Sequence, residues 1–139
     1  MLSPMVQIPA WSPSLSMGND AIDRQHKVLF KLGRQLVGLL ENSDADIQAF
    51  HMAINDFAES AREHFGAEEK VLARNACPTL VDHKARHDAY IDVLASTLSH
   101  NILTYRDRIT LVEMVVDLVS THVIEIDLPA REFMKDERV

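Results

Sequence analysis

The chain is short of the residues that interrupt helices. Its 139 residues include four glycines and five prolines, and three of those prolines fall within the first thirteen positions. Long stretches therefore run without a breaker, which favours helices over a strand-and-turn fold. There is a single cysteine, Cys77, so no intrachain disulfide can form and nothing points to an oxidising compartment. Uninterrupted apolar runs stay well below the roughly 18 residues of a membrane span. No stretch has the charged, apolar and small-residue order of a signal peptide. Basic charge is scarce too: 14 Lys and Arg against 21 Asp and Glu leave a net charge of −7. That is the wrong sign for a phosphate-binding face. A cytoplasmic protein with neither a membrane nor a nucleic-acid partner is the expectation.

What is present is a helical period. With 47% hydrophobic and 25% charged residues, the chain has the profile of one ordinary globular domain. Residues 1–18 read as an irregular N-terminal arm, because Pro4, Pro9 and Pro13 block helix and sheet alike while Trp11 and Leu15 offer something to pack. Residues 19–139 read as the domain proper. Gly18-Asn19-Asp20 marks a helix start, with Asp20 and Asp23 suited to the positive helix end. Helix A then spans about 21–41, with Ile22, His26, Leu29, Gly33, Leu36, Val37 and Leu40 on one face. Asn42-Ser43-Asp44 breaks the pattern and can cap the next helix.

Helix B spans about 46–74, starting at Asp46, with Phe50, Ile54, Phe57, Ala61, His64, Phe65, Glu68 and Leu72 in its stripe. Glu69 lies off this face and is expected in solvent. Asn75-Ala76-Cys77-Pro78 ends the helix. Helix C begins at Thr79, which with Asp82 makes an approximate capping box; its face carries Leu80, His83, His87, Tyr90, Ile91, Leu94 and Leu98. The connection from His100 to Arg106 contains Asn101 and Thr104. Helix D spans about 107–127 and is apolar almost all round, including Val112, Val116, Val119, Val123 and Ile124, which suits deep burial or contact with a partner. Pro129 should stop or kink it, leaving Arg131 to Val139 as a charged tail. Four such helices joined by short loops predict an all-α fold, an antiparallel up-down-up-down four-helix bundle.

Five of the seven histidines, His26, His64, His83, His87 and His122, fall on the expected core faces. Buried imidazoles need partners for both ring nitrogens, and buried charge is costly unless paired or bound to a metal. The start of A, the end of B, the start of C and the end of D all lie at the same end of an up-down bundle, so the five converge with Glu68. Their number exceeds a four-ligand zinc site, and mixed imidazole and carboxylate ligation suits iron. Asp127 is the obvious second carboxylate, but five residues along an ideal helix place it about 140° from His122. It reaches the site only if the two side chains flank the axis or the helix loosens before Pro129. His51 and His100 fall elsewhere and carry no such expectation.

The motifs Gly18 with Ile22-Asp23-Arg24-Gln25-His26, His64-Phe65-Gly66-Ala67-Glu68-Glu69, His83-Lys84-Ala85-Arg86-His87 and His122-Val123-Ile124-Glu125-Ile126-Asp127 occur in order. On these the sequence resembles the bacterial hemerythrin-like domains from Trp11 onward. The resemblance implies two non-heme iron ions (Fe2+/Fe3+) joined by an oxo or hydroxo bridge. His83, His87 and His122 would hold one, His26 and His64 the other, and Glu68 and Asp127 would bridge them. The two-histidine iron would keep an open position for reversible binding of dioxygen, a binding role and not that of an enzyme. Three positions depart from the family pattern: Cys77 replaces a tyrosine before the B–C proline, Leu118 a tryptophan, and Ala130 an aromatic. The first could place a redox-active thiol near the site.

Two rival readings share the bundle. A ferritin-like di-iron oxidase or iron-handling protein needs Glu-x-x-His motifs; the nearest approach is Asp23-x-x-His26. An oxygen- or redox-sensing input domain would keep the same site and use the apolar outer face of helix D to meet a protein partner, a signalling domain or a second copy.

Overall fold

Helices form where the apolar periodicity places them: α1 at Asp20–Glu41, α2 at Ile47–Arg74, α3 at Leu80–Leu98 and α4 at Tyr105–Val116. The computed structural model describes residues 8–41, 47–100 and 103–135 and contains no strand among them. Pro4, the Asn42-Ser43-Asp44 cap, the Asp46 start, Asn101 and residues 136–139 of the tail lie outside the described residues. Each helix packs on the next and α4 returns to α1, closing the four-helix bundle. Its core is a continuous cluster that includes Leu29, Phe30, Leu36, Ile54, Phe57, Leu72, Leu94, Leu111 and Val115. Among the described residues before α1, Pro13–Leu15 makes a helical turn, while Trp11 and Leu15 pack against the core.

Gly33 explains how closely the arm and α4 approach α1. A Cβ there would lie 2.6 Å from Ile8 Cδ1 and 3.2 Å from Val115 Cγ1, so the missing side chain is what lets both lean on this helix. The start of α1 is tied at several points. Asn19 accepts the Ile22 N–H at 3.1 Å and donates to the Met134 carbonyl at 2.9 Å. Asp23 is buried and accepts from the Met17 N–H at 2.8 Å and from the Ser16 hydroxyl. Its carboxylate therefore anchors the arm as well as facing the helix end.

The helix ends differ from expectation in instructive ways. At the end of α2 the Cys77 N–H reaches the Leu72 carbonyl and the Ala76 N–H reaches that of Ala73, with Ala76 at φ 55°. This is the Schellman arrangement with alanine where glycine is usual. The capping box expected from Thr79 and Asp82 does not form. The Thr79 hydroxyl lies 3.4 Å from Cys77 Sγ, and Asp82 pairs with Arg86 at 2.9 Å. A full capping box forms instead between Thr104 and Asp107, which starts α4 two residues earlier than the sequence pattern suggests.

After Val116 the helix widens. Asp117–Asp127 is π-helical and ends with the Leu128 N–H bonded to the Val123 carbonyl five residues back. Leu128–Phe133 then tightens into a 3-10 helix, with Pro129 in its first turn, where its missing N–H leaves no bond unmade. The π-helical segment thus ends two residues before Pro129, and the chain continues as a 3-10 helix. The expected charged tail is also partly internal, since Met134 is buried.

The apolar outer face expected on helix D is largely absent. Val112, Val119 and Val123 are buried within the chain and Val116 is half-buried, so Ile124, at 37% exposure, is the exposed member of that set. Burial between neighbouring helices accounts for the apolar sequence. No described helix is long and apolar enough to cross a membrane.

Candidate metal centre

Helical period sets the placement of the polar residues. His26 lies between Ile22 and Leu29 on the buried face of α1; His64 and Glu68 lie one turn apart between Ala61 and Leu72 on α2. His83 and His87 repeat that spacing on α3. All seven candidate ligands, His26, His64, Glu68, His83, His87, His122 and Asp127, are 2% exposed or less. The structure brings all seven to one end of the bundle.

Asp127 joins them through the π-helical segment. Hydrogen bonds from i to i+5 stack residues five apart, whereas an α-helix would turn Asp127 well away from His122. Here His122 Nε2 and Asp127 Oδ1 are 3.1 Å apart.

The seven divide into two overlapping groups. Glu68, His83, His87, His122 and Asp127 converge in one, and His26, His64, Glu68 and Asp127 in the other. The two carboxylates belong to both, and each turns one oxygen to each group. Glu68 Oε1 lies 2.7 Å from His83 Nε2 and 3.2 Å from His87 Nε2, while its Oε2 lies 3.0 Å from His64 Nε2 and 3.6 Å from His26 Nε2. Asp127 Oδ1 lies 2.7 Å from His83 Nε2, while Oδ2 lies 3.5 Å from His26 Nε2.

Several of these contacts have the distance of a hydrogen bond without its angle. Glu68 Oε2, Asp127 Oδ2, His87 Nε2 and His122 Nε2 are buried and have no hydrogen-bond partner. Orphaned buried atoms of this kind are costly in a protein interior. Lone pairs converging on common points are what a cation would satisfy, so the residues fit a metal centre.

The electrostatics agree. Burial pushes the His64 imidazole down, toward its neutral form. For His26 and His83 burial acts in the same sense, but the neighbouring carboxylates of Asp127 and Glu68, hydrogen-bonded to His83 and within 3.6 Å of His26, outweigh it and raise them to about 9 and about 10. Burial would raise Glu68, yet the field of His64, the closeness of His26 and the hydrogen bond from His83 hold it well below the usual range. Asp127 is opposed by burial and by Glu68, and the close imidazoles of His122 and His26 together with the hydrogen bond from His83 still bring it down to about 2. Two carboxylates remain charged at the centre of an imidazole cage.

A family model described as the hemerythrin HHE cation binding domain matches residues 17–127. The chain belongs to the hemerythrin family. It is also similar to the bacteriohemerythrin of Clostridium acetobutylicum, with 28% identity over 122 residues that cover 84% of this chain and 94% of that protein. A hemerythrin fold implies a non-heme di-iron site, and the cluster of histidine, glutamate and aspartate is chemically able to hold such metals.

Around the cluster lie partners that periodicity missed. His64 Nδ1 is 2.9 Å from Gln25 Oε1, and His87 Nδ1 is 2.8 Å from Glu69 Oε2. Glu69 is thus not simply solvated; its position off the buried face lets it reach sideways to α3. Phe65 stacks on His87 with centroids 4.0 Å apart, and Tyr90 stands edge-on to His122 at 5.5 Å while its hydroxyl donates to Asp117. Cys77 is buried beside Thr79 and belongs to neither ligand group. His51 is half-buried, and His100 is exposed and paired with Asp107 at 3.2 Å; neither joins the cluster.

Proposed function

We propose that this hemerythrin binds dioxygen reversibly at a di-iron centre, serving oxygen carriage, storage or delivery. The observation that carries the reading is the division of both carboxylates, one oxygen each to a three-histidine and a two-histidine group. His83, His87 and His122 would hold one iron, and His26 and His64 the other, with Glu68 and Asp127 each able to offer an oxygen to both.

Two iron ions held in this way would supply the redox chemistry of reversible dioxygen binding. The chain's own residues do the rest. Three imidazoles against two leave one position short of a ligand, which suits a binding site better than a closed structural one. Ile22 and Leu29 beside His26, and Leu118 and Val123 beside His122, are at most 1% exposed, so the cluster is walled by apolar side chains that exclude water. Phe65 and Tyr90 restrict the tilt of the His87 and His122 rings.

The test is anaerobic reconstitution with ferrous iron followed by oxygen. The expected result is two irons per chain and a visible charge-transfer band that vanishes on deoxygenation. Irreversible bleaching with substrate turnover would favour an oxidase, and failure to retain iron would overturn the site. A change in sedimentation between oxidised and reduced forms would favour a sensing role.

A further inference from the structure

Two contacts outside the ligand set differ in one respect only. Each is a hydrogen bond from the Nδ1 of a buried histidine to a side-chain oxygen, Gln25 Oε1 at 2.9 Å for His64 and Glu69 Oε2 at 2.8 Å for His87. An amide oxygen and a carboxylate oxygen accept but do not donate. Both histidines must therefore carry their proton on Nδ1, which leaves the Nε2 lone pair facing the cluster. The acceptors are unequal in charge. The two-histidine side has a neutral amide behind it, and the three-histidine side has an anion.

From this we infer that Gln25 and Glu69 are positioning residues that make the two metal positions electronically unequal. The inference rests on the di-iron reading above. A carboxylate draws the Nδ1 proton more strongly than an amide does, so His87 becomes the more basic ligand. The three-histidine position is thereby favoured by the higher charge on its metal, beyond what its extra ligand contributes. Gln25 keeps His64 in the right tautomer without that added donation, so the position with the open coordination stays the electron-poorer one. Exchanging charge between the acceptors should then move the two positions in opposite directions.

Both acceptors stand where substitution is tolerable. Gln25 is half-buried in a surface groove of about 190 Å³ between α1 and α2, shared with Arg24, Val28, Ser60 and Glu63. The Glu69 side chain is 22% exposed. Neither is packed into the apolar core, so the near-isosteric exchanges Gln25→Glu and Glu69→Gln keep volume and an acceptor while changing charge.

The experiment is stepwise anaerobic titration of the metal-free full chain with Co2+, read from its visible absorption, with helicity followed by circular dichroism. Unaltered protein should bind two Co2+ with unequal constants. Glu69→Gln should weaken the tighter step and Gln25→Glu should strengthen the weaker one, each by about tenfold, so both narrow the gap. Gln25→Leu, which removes the acceptor, should weaken the second step by about ten- to a hundredfold at unchanged helicity. A purely structural role predicts that Gln25→Leu lowers helicity while the two exchanges leave the ratio of constants alone. Unchanged ratios in both exchange variants overturn the inference while leaving the metal centre standing. Failure of the unaltered chain to bind two Co2+ overturns the metal centre and the inference together.

Discussion

The two ends of the bundle bury different chemistry on the same four helices. At one end the buried side chains are apolar, among them Leu36, Leu40, Phe50, Ile54, Leu94 and Leu111; at the other they include five imidazoles and two carboxylates. The apolar end gains stability simply by removing hydrocarbon from water. The ligand end carries orphaned polar atoms, which subtract from stability until a cation satisfies them. The comparison implies that folding is driven from the apolar end and that the ligand end depends on its metal. Such a division lets binding chemistry be demanding without costing the fold.

The strongest way to break the comparison is to damage the apolar end. Phe50→Ala should cost about 3–5 kcal/mol through lost burial and a residual cavity. The loss should be equal with and without metal, measured by denaturant unfolding of both forms, and Co2+ stoichiometry should not change. A loss confined to the metal-bound form would mean that the ends are not independent.

Damage at the ligand end should read differently. Saturating metal should raise stability by about 3–4 kcal/mol at 100 to 1,000 times its dissociation constant. Glu68→Ala should abolish that gain, because Glu68 gives an oxygen to both groups. Thermal scans with and without Co2+ check both statements, and a metal-induced rise surviving in Glu68→Ala would mean that Glu68 is not the bridge.

The pH dependence of the metal-free protein sharpens the contrast. His26 and His83 rise in the folded state from 6.5 to about 9 and about 10. A raised folded pKa contributes stability that is complete below the unfolded value and is lost as pH climbs through the folded one. Metal-free protein should therefore lose stability progressively between pH 6.5 and 10, as the coupled imidazoles give up their protons. Asp127, lowered from 3.8 to about 2, acts on the other side. Its contribution is complete above 3.8 and is lost as pH falls through 2. Metal affinity should run the opposite way over pH 6.5–10, strengthening as imidazoles give up protons. Unfolding midpoints and Co2+ titrations across that range test the crossing trends.

The smallest effects should come from the caps. Thr104→Ala, at the apolar end, removes the side-chain acceptor for Asp107 N–H and should cost about 1 kcal/mol. Ala76→Gly, at the ligand end, relieves a left-handed alanine and should gain about 1 kcal/mol. Neither should alter metal affinity, as paired melts and titrations would show.

The sequence by itself determined the helices, their order and most of the ligand set. A 3.6-residue period is local, so His26, His64, Glu68, His83 and His87 could be placed on buried faces from spacing alone. Up-down connectivity then placed their levels. Three features were beyond residue spacing alone, although the motif ending in Asp127 had already named that residue. Asp127 meets the site because the backbone after Val116 adopts i to i+5 hydrogen bonds, a choice made by packing along the whole segment and not by residue spacing. Gln25 and Glu69 meet their histidines across helix boundaries, where contact depends on interhelical distance and rotation. The apolar outer side of helix D looked available to a partner until the neighbouring helices and the arm were in place. Hydrophobic pattern records that a side chain avoids water; only the tertiary structure decides whether this chain or another one covers it.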